Sequence, residues 1–282
     1  MASLRTLARY VLTFFLLMPL SHAATWTIID YPGARVTEGV FGINSQGQMV
    51  GAYVDFASSE HGFLDDNGVF TTIDYPGVTH TQAVGINDSG QIVGTYYDVD
   101  GHTHGFFLDG QTFSTIEPPH TISSNLGKIN NSGQMVGTYV DDQFVTSHGY
   151  IYDLYTGKFK TFNAPKSTSG FGNGINNLDD VVGQSSFNFG FWRSADGAYQ
   201  ILAYPGASYT APIAVNDSRL IVGFELSQRG RSRAFVFSHG NYSSFNFPGG
   251  GGTVANGVNN GGAIVGTVSD PTRTPHGFLM TP

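Results

Sequence analysis

The chain has 282 residues, 38 of them Gly and none Cys, with 40% apolar and 12% charged residues and a formal net charge of −8. Its four lysines form no basic stripe for a phosphate backbone or an anionic lipid surface, which argues against nucleic acid and membrane-surface partners. The absence of Cys excludes thiolate chemistry, Cys-based metal sites and disulfides, and a chain of this length buries enough surface to fold without them.

Residues 1–23 read as a signal peptide. Arg5 and Arg9 supply positive charge, Val11 to Leu20 form an apolar stretch, and Ser21-His22-Ala23 places small residues at a cleavage site. The apolar stretch is too short for a membrane helix, which needs about 20 residues. The mature protein is therefore expected to be secreted, extracellular or periplasmic, with no membrane span once the signal is cleaved.

After the signal, Thr25-Trp26-Thr27-Ile28-Ile29 is predicted as a strand that stands alone. Its sequence matches Phe70-Thr71-Thr72-Ile73, which in a later repeat closes a set of four strands. Six copies of one unit follow. Each carries an Asn, at 44, 87, 130, 176, 216 and 259, separated by 43, 43, 46, 40 and 43 residues. In each copy the Asn opens a turn cluster, a Val-Gly pair marks the next strand, and a His-Gly-Phe-like triplet marks the third. A period of this size signals a propeller blade or a solenoid coil.

In the second repeat the strands read as 83–87, 91–97, 104–108 and 113–116, joined by turn residues. Four short strands in series are the content of one antiparallel propeller blade. The last repeat stops after its third strand, so the lone N-terminal strand can supply the missing fourth. Residues 24–282 are thus expected to form one all-β domain, a six-bladed β-propeller of four-stranded antiparallel blades closed by the N-terminal strand. A β-solenoid is the runner-up, but nothing in the chain reads as a cap.

The recurring Gly-Ile-Asn-x-x-Gly-Gln-x-Val-Gly block followed by His-Gly-Phe resembles the bacterial extracellular HAF-repeat family. Phe189 and Arg233 stand where that pattern has His. The resemblance implies secretion and a repeat fold, and implies no particular activity.

The motif histidines His61, His104, His148 and His276 open third strands in separate blades, so they cannot converge on one ion, and each is expected to hold a loop or neighbouring strand instead. The Asn residues are expected to serve turns, and the Val-Gly glycines to admit a close backbone or ring. No metal and no cofactor are expected. Binding residues are sought where repeats differ, in the longer loops between second and third strands. That face offers His80, His102 and His120, the acids Asp98, Asp100, Asp141 and Asp142, and the rings Tyr97 and Phe144. Lys128 joins them because it stands where the other first strands have Gly or Ala. Acids beside aromatic rings suit a sugar. The expected function is a monomeric, non-catalytic module binding an extracellular glycan or small polar ligand. A protein-interaction scaffold ranks next, then a polysaccharide hydrolase or lyase.

Overall fold

The structure, a computed structural model, describes residues 24–143 and 146–282. Residues 1–23, expected from sequence to be a signal peptide, and the candidate Phe144 lie outside the described residues. Twenty-four strands form six four-stranded antiparallel sheets, and among the described residues there is no helix. Five sheets are made of consecutive strands, spanning 36–73, 81–115, 121–162, 171–202 and 209–245, here blades one to five. The sixth combines Thr253–Val258, Ile264–Ser269 and Pro275–Thr281 with the N-terminal strand Thr25–Ile29. Ile28 sits opposite Phe278, so the two ends of the chain pair edge to edge as the sequence predicts. Trp26 reinforces the seam, its ring 5.3 Å from Phe247 and 5.6 Å from Phe278.

The core follows from two slots of the repeat. The third-strand aromatics Phe63, Phe106, Tyr150, Phe191, Phe235 and Phe278 are fully buried, as are the Val residues 50, 93, 136, 182, 222 and 265. Burying each such side chain is worth about 1.5–3 kcal/mol. In five blades the Gly after that Val makes room for the aromatic, while Gly223 is closed in by first-strand backbone. A Cβ on Gly94 would lie 2.0 Å from the Gln82 carbonyl oxygen and 2.6 Å from the Phe106 ring. Gly51, Gly137, Gly183 and Gly266 have the same two neighbours, a first-strand carbonyl and the third-strand ring.

Every first strand carries a β-bulge just before its end, at residues 41, 84, 127, 173, 213 and 256. An unpaired residue there bends the strand and frees its backbone groups from the ladder. These strands line the central channel, whose wall includes Gly42, Ile86, Lys128, Ile175, Ala214 and Val258.

At one end of the channel the repeated Asn side chains form a closed ring. Asn44 Nδ2 donates to the Asn87 carbonyl (3.1 Å), Asn87 to Asn130, Asn130 to Asn176, Asn176 to Asn216, Asn216 to Asn259, and Asn259 back to Asn44 (3.0 Å). The Oδ1 atom of each accepts backbone N–H groups of its own turn, as at Ser89 and Gln91 for Asn87. One residue type therefore shapes the turn and ties each blade to the next.

Candidate functional site

The opposite end of the channel carries the longer loops. Each motif histidine fastens such a loop. His61 lies between Asp55 (3.4 Å) and Asp74 (2.7 Å), and His104 between Asp98 (3.0 Å) and Glu117. His148 meets Asp141 and Asn163, and His276 meets Asp270 and Asp30. In each case one partner belongs to the loop and the other follows a fourth strand. Tyrosines stack beneath in blades one and two: Tyr31 on Tyr53 at 3.8 Å and Tyr53 on His61 at 5.0 Å, with Tyr75, Tyr96 and His104 repeating the pattern. Burial pulls the His61 imidazole pKa down, but the bonds and charges of Asp74 and Asp55 outweigh it and leave it raised. His104 is raised in the same way by Asp98 and Glu117. The motif histidines are loop anchors.

In blade five Glu225 and Arg233 replace that Tyr and His, and their side chains pair at 2.5 Å. Glu225 is fully buried and its Oε2 has no partner among the described residues.

Several of the loop residues singled out from sequence serve the loops themselves. Asp98 Oδ1 accepts the N–H groups of Asp100 and His102, and its Oδ2 meets His104. The His104 bond and the loop N–H groups hold its carboxyl at about 2. Asp141 binds Thr146 and His148 in the same manner. Asp100 is exposed. The three loop histidines meet different partners: His80 stands at an edge angle to Tyr97 at 5.8 Å, His102 faces Asp98 at 3.7 Å, and His120 faces Asp142 at 3.6 Å.

Tyr97 and Lys128 share a cavity of ≈ 380 Å³ at the channel mouth. Four side-chain amides, Gln82, Asn125, Asn173 and Gln184, line it with Tyr97 and Tyr209. Lys128 also lines the narrower channel below. Its Nζ donates to the carbonyls of Phe41 (2.7 Å) and Val84 (2.8 Å), bulge residues of blades one and two, so the side chain from blade three reaches across the channel. The sequence suggests a carboxylate partner or a rim position as the plain alternatives for this lysine, and the structure gives it backbone carbonyls. The residue is half-buried overall while its amine is enclosed, and burial lowers the amine pKa to about 7.

Beside the cavity lies a carboxyl pair that the sequence reading did not nominate. Gln82 Nε2 donates to Glu60 at 2.5 Å and to Glu38 at 3.5 Å. Burial, then the hydrogen bond and charge of Glu60, push the Glu38 carboxyl up to about 8. Glu38 occupies a second bulge in its strand. The signal was visible: Thr37 to Asn44 is one residue longer than Thr81–Asn87, Thr210–Asn216 or Thr253–Asn259. The amides were detectable too, since Gln82 and Asn125 fill a first-strand slot that blades four to six give to Phe171, Ala211 and Val254, and Asn173 fills one where only Asn256 is also an amide.

No protein-family model matches the sequence, and no curated protein matches it. Solved structures share its fold. TolB from Acinetobacter baumannii is 16% identical with a TM-score of 0.56, over 77% of this chain and 55% of that one. The chain thus spans little more than half of that TolB. The six-bladed fungal lectin from Aleuria aurantia, described by its fucose recognition, is 11% identical with a TM-score of 0.52, over 86% and 93%. A nidogen/laminin complex gives 10% identity and a TM-score of 0.54, over 78% and 83%. At these identities the likeness is one of fold.

Proposed function

We propose that this protein is a secreted propeller that binds a glycan or small polar ligand at the mouth of its central channel. The observation that carries the reading is the ≈ 380 Å³ cavity walled by four amides and two tyrosines. Amides and hydroxyls match the donors and acceptors of a polyhydroxylated ligand, while rings cover its C–H faces. The fucose-binding lectin among the fold's relatives supports a binding role in general. The HAF-repeat resemblance and the export signal at 1–23 belong to this proposal, and the N-terminal sequence of exported protein tests the signal.

Titration of mono- and oligosaccharides by calorimetry tests the site. Tyr97→Ala and Asn173→Ala are expected to lower affinity at least tenfold. Asp98→Ala acts through its loop and lowers affinity only as that loop shifts. Binding unchanged in Tyr97→Ala and Asn173→Ala refutes this location.

A second reading, a protein-docking face, is favoured by Phe56, Val99 and Phe187, which are 79%, 96% and 61% exposed at loop tips. The hydrolase or lyase reading has less support: Glu38 and Glu60 share a hydrogen bond, whereas a glycosidase pair stands roughly 5–10 Å apart.

A further inference from the structure

From the floor of the cavity we infer the class of ligand: a sugar acid whose carboxylate meets the Lys128 ammonium. This rests on the ligand-binding reading above and deepens it. An ammonium has three donors. Two are taken by the carbonyls of Phe41 and Val84, and Lys128 lines the cavity with a third to offer. The described wall holds no carboxylate to neutralise it. A buried cation with only dipoles around it gains most from an anion that brings its own charge into the enclosed site. The surrounding amides then have the remaining hydroxyls of a sugar to bind.

The other titratable groups on the first strands packed around the channel are Glu38 and Tyr209. Glu60 reaches the same region through Gln82, and Tyr97 stands on the wall. With its carboxyl held protonated to about 8, Glu38 adds no repelling charge at mildly acidic pH. Burial raises the Tyr209 phenol, which stays neutral throughout.

The test uses the full mature chain and calorimetry with methyl glycosides of glucuronic and galacturonic acids, their neutral glucose and galactose counterparts, and acetate. At pH 6 a uronide is expected to bind at least tenfold more tightly than its neutral counterpart, and the preference is expected to shrink at pH 8.5 as the amine deprotonates. Lys128→Gly installs the residue most other blades use, and Lys128→Met keeps the bulk without the charge. Both are expected to lose the preference while keeping the wild-type fold by circular dichroism. Equal binding of acid and neutral sugars overturns the inference and leaves the ligand-binding reading standing. A preference that survives in Lys128→Met also overturns it. Acetate binding as tightly as the uronides overturns the sugar-acid assignment. If no probe binds, both the inference and the reading beneath it fall.

Discussion

Replacing Asn87 by Ala tests whether the ring of asparagines holds the blades together. The Asn87 side chain is 3% exposed. It accepts from Ser89 and Gln91 backbone N–H groups at 3.0 Å each, and donates to the Asn130 carbonyl at 3.3 Å and to Gln91 Oε1 at 2.8 Å. Alanine leaves two N–H groups and one carbonyl without these partners, while the Gln91 side chain can turn toward water. An orphaned buried group costs about 1–3 kcal/mol. Because the turns face solvent and water recovers part of the loss, the low end applies, about 3 kcal/mol for three groups. For a domain of this size that is a fall in Tm of roughly 6–12 °C. Thermal and urea unfolding, read against the exposed Ser89→Ala as control, measure it. Asn87→Asp separates the two jobs of the side chain: it keeps the acceptors and sets a carboxylate oxygen against the Asn130 carbonyl, so it is expected to recover stability at pH 4, where a protonated carboxyl can donate. An Asn87→Ala protein within about 0.5 kcal/mol of the control, the usual spread for neutral surface changes, refutes the argument.

Gly94→Ala drives a Cβ into the Gln82 carbonyl and the Phe106 ring, and is expected to cost at least the ~1–3 kcal/mol typical of overpacking. Trimming Phe106 to Leu as well is not expected to restore the melting temperature, because the carbonyl remains. Trp26→Ala removes a half-buried ring packed on Phe245, Phe247 and Phe278, with an expected loss of about 2–3 kcal/mol, somewhat under the range for full burial. Limited proteolysis near residues 24–30 is expected to accelerate in parallel. Glu38→Gln reports on the raised carboxyl. Since the folded pKa of about 8 exceeds the ordinary 4.5, the folded state holds a proton that the unfolded chain releases. Wild-type stability then declines relative to the variant from pH 4.5 to 8 and levels off above that, and a pH-independent difference in unfolding free energy contradicts it.

The ring closure was legible because the N-terminal Thr-Trp-Thr-Ile-Ile strand resembles the fourth strand of a later repeat, and pairing to Pro275–Thr281 bears that out. The Val-Gly glycine was legible too, since its neighbours are both a backbone and a ring. The asparagine was half legible. Its turn-forming Oδ1 follows from local chemistry, whereas its Nδ2 bond to the next blade connects residues 40 to 46 positions apart along most of the ring and exists only once the blades are side by side. Periodicity aligns the slots without saying which side chains meet. The exchange of Tyr and His for Glu225 and Arg233 looks like two separate substitutions until strand pairing sets them opposite each other. The candidate cavity was only partly legible for a related reason. Loop acids stood out in the sequence, but loops need internal acceptors to hold their shape, and Asp98 and Asp141 serve that need. The cavity draws on first-strand residues whose backbone is redirected by bulges, and a bulge that recurs at the same slot of every repeat leaves no mark in the spacing.

Joining residue 28 to residue 278 means that the circle is fastened by a latch from the far end of the polypeptide. Should heat or denaturant release that latch, each molecule offers a detached ribbon and a vacant sheet margin that accepts the same ribbon from a neighbour. Misassembly by this route propagates head to tail, molecule after molecule, and its products carry native blades throughout. Such aggregates would dissolve back to single rings on dilution, and a cross-link between the ribbon and its own margin would prevent them from forming.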